Sequence, residues 1–335
     1  MGTFTIEGGH KLKGTLTPQG AKNEALQILA AVLLTADEVE LHNIPEIRDI
    51  LRMIELLKGL GVKVEHKAKG NWVFKADEID LDYFHTDEFK TKGAAIRGSI
   101  MIIGPLLARF GIGYIPSPGG DKIGRRRLDT HFIGFESLGA EFIYNKDTGF
   151  YKVEGKNLRG SYMLLEEASV TGTANILMAA VMAKGTTTIY NAACEPYLQQ
   201  LCKMINSMGG KISGVGSNLL VIEGVSELAG CAHTILPDMI EIGSFISLAA
   251  LTQSEITIEK CRVDQLGIIP KVFKKLGVQF IIKDDDIIIP ENKHYEIDSF
   301  IHRLILHNLH LPIVACAVTS SRRDSSFSSG RSFFR

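Results

Sequence analysis

Four amphipathic stretches of this chain close on a glycine, at Gly61, Gly139, Gly209 and Gly277, spaced by 78, 70 and 68 residues. Each glycine follows a large apolar residue, Leu60, Leu138, Met208 or Leu276. It also stands just ahead of a strand-like segment, the place where a left-handed residue ends a helix cleanly. The same plan surrounds every mark: an apolar helical run, a short strand, the amphipathic helix and a pair of strands. The first copy has Ala25 to Leu34, Val39 to Leu41, a helix from Ile47 to the glycine, then Val62 to Val64 and Trp72 to Phe74. The second has Ala94 to Ala108 as its apolar run, the third Ala174 to Ala183 and the fourth Ile242 to Leu251, with the fourth outer helix expected over Gln265 to Leu276. Each copy therefore reads β-α-β-α-β-β. Its first helix is apolar nearly all round, as in Ile28 to Leu34, and belongs inside; its second is amphipathic and belongs outside. Helices buried beneath an outer layer of sheets predict an inside-out α/β barrel built from βαβαββ repeats.

At 335 residues the chain exceeds one ordinary core, so two domains are expected. A net charge of −1 argues against nucleic acid as the main partner, because binding the phosphate backbone needs a net basic face. Local cation clusters then serve a local purpose. The five cysteines show no C-x-x-C pairing, which predicts reduced thiols, no disulfide and no metal site. No basic-then-apolar leader opens the chain, and its apolar runs fall short of the ~20 residues that span a bilayer, so a soluble, cytoplasmic protein is expected. Oligomeric state has no signature here.

The densest charge pattern is the stretch from Pro116 to His131. Pro118, Gly119, Gly120 and Gly124 break regular structure, and Asp121 stands among Lys122, Arg125, Arg126 and Arg127. A carboxylate among cations suits an anionic substrate held beside a proton donor; it also suits a basic turn capped by Asp121. Residues at the starts of the apolar helices add to this. Lys22 sits where the helix dipole disfavours a cation by up to ~1 kcal/mol, which points to anion binding, and Asn23 beside it also fits an N-cap. Arg97 is a lone cation in an apolar stretch, either an anion ligand or a paired, snorkelling arginine. Glu166 to Thr173, with Ser169 and Val170, forms a hydroxyl- and glycine-rich helix entry able to offer N–H groups to phosphate. Asp238 and Glu241 lie on one helical face, where they could orient a sugar hydroxyl, act as a base, or cap the helix. Convergence of the four helix starts would make a cleft between domains.

Taken together, Gly20-Ala21-Lys22-Asn23, Arg97 ahead of Gly104-Pro105-Leu106-Leu107-Ala108-Arg109-Phe110-Gly111, Pro118-Gly119-Gly120 with Ile123-Gly124, Arg126, Asp129 and His131, Asn191-Ala192-Ala193 with Glu195-Pro196, and Leu236-Pro237-Asp238 with Ile240-Glu241 resemble the enolpyruvyl transferases. The resemblance runs from the first residues to about Pro290. Within that family it is to those that use UDP-N-acetylglucosamine in peptidoglycan synthesis. It implies transfer of the enolpyruvyl group of phosphoenolpyruvate to the sugar 3-hydroxyl, through a tetrahedral intermediate and with loss of phosphate. No metal or organic cofactor is implied. Lys22 and Asn23 would hold phosphoenolpyruvate; Arg97 and Arg126 would meet anionic oxygens; Arg126, Arg127, Leu128, Asp129 and Thr130, with Ser169 and Val170, would line the nucleotide. Lys22, Arg126 and Asp121 would be catalytic. The shikimate-pathway transferase is less similar, since it wants a lysine-serine motif where this chain has Lys22-Asn23.

Three departures from the family pattern stand out. Asp121 takes the place of the usual loop cysteine, so general acid chemistry survives while thiolate chemistry does not, and insensitivity to fosfomycin is expected. Glu167 stands where many relatives are basic. The family has six repeats and four are present here. This implies residues 22–229 as a three-repeat domain carrying the loop, 1–21 with 230–300 as an incomplete second domain, and 301–335 as an atypical tail. On that count the chain as written is expected to turn over little, and to act as a UDP-sugar-binding fragment if it is inactive.

Overall fold

The computed structural model describes residues 3, 5–116, 128–145, 150–292 and 294–297. Among them the chain opens with strand β1 (Lys13–Leu16) and continues through α1 (Lys22–Ala31), β2 (Glu38–His42), α2 (Arg48–Gly59), β3 (Lys63–Ala68) and β4 (Asn71–Lys75). Next come α3 (Asp87–Ala94), α4 (Ile103–Phe110), β5 (Ile112–Pro116), α5 (Asp129–Ser137), β6 (Glu141–Asn145) and β7 (Phe150–Glu154). These are followed by β8 (Tyr162–Leu164), α6 (Val170–Ala180), β9 (Thr186–Tyr190), α7 (Pro196–Ser207), β10 (Lys211–Ser213) and β11 (Leu219–Glu223). The last are β12 (Cys231–Thr234), α8 (Met239–Leu251), β13 (Glu255–Ile258), α9 (Ile269–Lys275), β14 (Ile281–Lys283) and β15 (Asp286–Ile289).

The chain divides into two compact units, 20–236 and 1–19 with 237–335. The larger unit holds three sheets, ordered β12-β2-β4-β3, β5-β7-β6 and β8-β9-β11-β10; the smaller holds β1-β13-β15-β14. Every four-stranded sheet follows one rule: its first two strands are parallel and the remaining pairings antiparallel. In the sheet of β8 the parallel strand directly precedes its helix. In two others it is exchanged, for β1 precedes α1 but pairs with β13, and β12 precedes α8 but pairs with β2. The exchange corrects the expected boundary between 229 and 230: β12 completes a sheet of the larger unit, which therefore runs to Leu236.

Gly61, Gly139, Gly209 and Gly277 all have φ between 81° and 101°, the left-handed conformation their positions predict. In the larger unit α6 packs against α4 and α1, and its residues from Gly172 to Ala180 are all buried. From Ala25 to Leu34 only Leu26 keeps appreciable exposure. The outer helices bury a single stripe, such as Ile50, Met53, Ile54, Leu56 and Leu57 of α2. Burial of this kind stabilises by about 25 cal/mol per Å² of apolar surface, and the inner helices bury apolar side chains all round.

Two helices differ from their sequence readings. The apolar run from Ala94 to Ala108 is split, with a 3-10 segment at Arg97–Ile102 ahead of α4. Pro105 has no N–H to return to Met101, and the N–H of Gly104 is drawn instead to Asn175 Oδ1 at 2.7 Å. Gly104 also allows α4 and α6 to touch, since a Cβ there would fall 2.2 Å from the Asn175 carbonyl oxygen. The expected outer helix over Gln265 to Leu276 is likewise shortened to α9, with Gly267 at φ 57° and Pro270 at its start.

Buried polar contacts fasten β12 to α1. Glu24 is fully buried; its Oε1 lies 3.0 Å from His233 Nε2, and its Oε2 accepts from the Leu236 N–H at 3.2 Å. Ala21 N–H donates to the Leu236 carbonyl at 2.7 Å.

Candidate active site

Six chain segments of the larger unit open onto one cavity of about 600 Å³. From α1 come Lys22, Asn23, Leu26 and Gln27, which recur at the spacing of one helical face. The 3-10 segment contributes Arg97 at its first position, and the entry to α6 contributes Ser169, Val170 and Thr171. Leu128 and His131 of the α5 region, with Asp49, Glu167 and Tyr197, also line the walls.

Lys22 is the first residue of α1, as the sequence predicts, and its Nζ pairs with Asp49 of α2. Asn23 does not cap the helix. Ala21 occupies the cap position and Asn23 lies inside the first turn, where its side chain is available to the cavity. Ser169 does cap, accepting from the Gly172 N–H at 3.2 Å, which leaves the first N–H groups of α6 aimed out of the helix start. Two helix starts therefore present positive dipole ends and N–H groups to a space that also holds Lys22 and Arg97, an environment for anions.

His131 ties this wall together. Gly104 N–H must meet an acceptor, which fixes Asn175 Oδ1 toward it and leaves Asn175 Nδ2 to donate to the Ile100 carbonyl at 2.8 Å and to His131 Nδ1 at 3.1 Å. The imidazole then carries its proton on Nε2, 3.4 Å from Thr171 Oγ1. Burial, with a smaller contribution from the Arg97 charge, pushes the His131 pKa down to about 4, so the ring is neutral at physiological pH.

The remaining sequence candidates separate. Asp129 and Thr130 stand in the first turn of α5, and Thr130 Oγ1 donates to Glu167 Oε1 at 3.3 Å, so Glu167 has a hydrogen-bonded place on the wall despite its unusual charge. Asp238 and Glu241 belong to the smaller unit. There Asp238 caps α8, accepting from Ile240 N–H and Glu241 N–H, and Glu241 Oε2 accepts from Gln19 N–H at 2.8 Å. Of the readings open in the sequence, these bonds display the capping one. Asp121, Arg126 and Arg127 lie outside the described residues. Thr171 falls within the hydroxyl-rich helix entry that the sequence singles out, whereas sequence reasoning passes over Asp49, Tyr197 and Gln27; of these only Gln27 carries a signal, as a polar residue leading an otherwise apolar helical run.

Residues 6–325 match the sequence family described as EPSP synthase (3-phosphoshikimate 1-carboxyvinyltransferase). The chain belongs to this carboxyvinyl, or enolpyruvyl, transferase family. A relative from Bacteroides thetaiotaomicron, a UDP-N-acetylglucosamine 1-carboxyvinyltransferase, is 59% identical over 306 residues, covering 91% of this chain and 70% of its own length. One of the same name from Porphyromonas gingivalis is 56% identical over the same shares of the two chains. Among solved structures, the enolpyruvyl transferase NikO from Streptomyces tendae superposes with a TM-score of 0.71 at 18% identity, over 86% of this chain and 68% of that one. EPSP synthase from Acinetobacter baumannii does so with 0.64 at 17% identity, over 84% and 65%. At those identities the structures speak for the fold alone.

Proposed function

We propose that the chain transfers the enolpyruvyl group of phosphoenolpyruvate to the 3-hydroxyl of UDP-N-acetylglucosamine, releasing phosphate, in peptidoglycan synthesis. The observation that carries this reading is the meeting of Lys22, Asn23, Arg97 and the Ser169 helix entry around one cavity, in a chain 59% identical to a transferase of that name. Two anionic substrates account for cations gathered locally in a chain of net charge −1. In the proposed sequence the sugar oxygen bonds to C2 of phosphoenolpyruvate as C3 gains a proton, giving a tetrahedral intermediate. Loss of a C3 proton then expels phosphate and restores the double bond. Lys22 and Asn23 would hold phosphoenolpyruvate, with Lys22 exchanging Asp49 for substrate oxygens; Arg97 and Arg126 would balance charge; Asp121 would deliver the proton. The nucleotide would lie along Arg126, Arg127, Leu128, Asp129 and Thr130 with Ser169 and Val170.

Among the described residues no single helix is long and apolar enough to cross a membrane. A cytoplasmic setting follows from the proposed substrates. Phosphate release by the 335-residue protein, measured with both substrates beside calorimetric titration of UDP-N-acetylglucosamine, tests the reading. Uptake of the nucleotide sugar with phosphate release supports it; uptake without release overturns transfer by this chain and leaves a binding fragment, and the absence of both overturns the reading altogether.

A further inference from the structure

Two carboxylates line the cavity, and they differ in their partners. Asp49 is paired with Lys22, whereas exposed Glu167 has no ion pair among the described residues. Its Oε1 accepts from Thr130 Oγ1 at 3.3 Å. Glu167 is fixed from two sides. Its backbone carbonyl accepts from the Ser169 N–H at 2.8 Å, just ahead of the start of α6. Thr130 in turn is seated closely on α6, where a Cβ added to Gly172 would fall 2.7 Å from the Thr130 methyl. A hydroxyl that meets a carboxylate donates to it, so Thr130 orients Glu167 and uses one of its several acceptor sites. The others remain open to the cavity that this exposed side chain lines.

A carboxylate accepts hydrogen bonds and repels anions. Phosphoenolpyruvate, with its carboxylate and phosphate ionised, offers acceptors only, and so does the diphosphate of the nucleotide sugar. The donors are on the sugar and on the uridine. The sugar 3-hydroxyl has to meet phosphoenolpyruvate beside Lys22 and Asn23 on α1, and the diphosphate separates the uridine from that end. Glu167 stands on other elements, between the entry to α6 and the first turn of α5. We infer that Glu167 is a specificity-determining residue that accepts charge-assisted hydrogen bonds from the uridine of the nucleotide sugar, through its ribose hydroxyls or its uracil N–H. This rests on the reading of the site given under Proposed function.

The test is Glu167→Gln in the 335-residue chain, with the melting temperature of the free protein and calorimetric titration of four ligands. These are UDP-N-acetylglucosamine, UDP, UDP lacking both ribose hydroxyls, and phosphoenolpyruvate, in about 0.15 M salt, where repulsion beyond ~8 Å is screened. Glutamine keeps the length and an oxygen for Thr130, but it removes the charge and brings N–H donors. The variant is expected to bind UDP-N-acetylglucosamine and UDP equally, about 10- to 100-fold more weakly than the parent. It should bind phosphoenolpyruvate and melt as the parent does. A loss absent from the UDP without ribose hydroxyls assigns the contact to the ribose; a loss retained there assigns it to the uracil N–H. Tighter binding of UDP by the variant would place the carboxylate beside the diphosphate and overturn the inference. Unchanged affinity for both nucleotides, or a loss confined to UDP-N-acetylglucosamine, overturns it too. So does a clear fall in melting temperature or an equal loss for phosphoenolpyruvate, either of which marks a structural role. All these outcomes leave the functional reading standing, whereas a parent that takes up neither substrate overturns both together.

Discussion

Glu24 Oε1 and His233 Nε2 meet at 3.0 Å inside the larger unit, joining the first turn of α1 to a strand more than two hundred residues later. Burial raises the Glu24 pKa above its ordinary value of 4.5, against the opposing pull of His233 and the Leu236 N–H. The folded chain then holds the Glu24 proton more tightly than the unfolded chain does.

The sign of the Glu24 effect follows. Between pH 4.5 and its raised folded value, the unfolded state binds fewer protons, so this group lowers stability as pH rises through that window. Glu24→Gln removes the titration. Its melting temperature, compared with the parent across pH 4 to about 8, is expected to lack that component. Parallel curves for the two proteins would refute the assignment.

His131 acts in the opposite sense. Its folded pKa of about 4 lies below the ordinary 6.5, so the unfolded chain binds the additional proton between these values and stability falls as pH drops. A full passage through the window costs on the order of 3 kcal/mol. His131→Gln should flatten this acid limb, read as urea midpoint against pH. The limb persisting unchanged in the variant would place the responsible group elsewhere.

Lys22 separates binding from stability. Its ion pair with Asp49 is 43% and 39% exposed, a pair worth ~0–1 kcal/mol, so Lys22→Met should leave the melting temperature nearly unchanged. Losing a charge-assisted contact to substrate should weaken phosphoenolpyruvate binding about 10- to 100-fold. Equal titrations for parent and variant would remove Lys22 from the site.

Asp121 carries a chemical prediction. If, as the resemblance to the UDP-N-acetylglucosamine transferases implies, Asp121 stands in place of a thiol that fosfomycin alkylates, mass spectrometry should find no adduct on the loop, while Asp121→Cys should gain one at residue 121. Cys202 and Cys261 are poor competitors, since burial pushes their thiols up to about 12 and about 11. Exposed Cys194 is the control, and an adduct within 116–131 of the parent would defeat the prediction.

Local grammar is what the sequence displays most openly. The four glycines at positive φ, the lysine at a helix start and the apolar inner helices are all written in neighbouring residues. What depends on distant partners is not. The break ahead of α4 needs Asn175 as well as Pro105, and the domain boundary needs β2 as the partner of β12. Asp49 looks like any first-turn acid of an outer helix until the fold brings it to Lys22. Gln27 is visible as a polar residue, but only packing shows that its oxygen is left unpaired.

The exchanged strands also set a timetable for synthesis. The sheet of β2, β4 and β3 leaves the ribosome early, yet its fourth strand, Cys231–Thr234, is among the last parts of the larger unit to appear. Until then β2 presents an unpaired edge, open to pairing with another nascent chain. A gene fragment ending at residue 229 would make that open edge permanent, whereas one ending at Leu236 would close it.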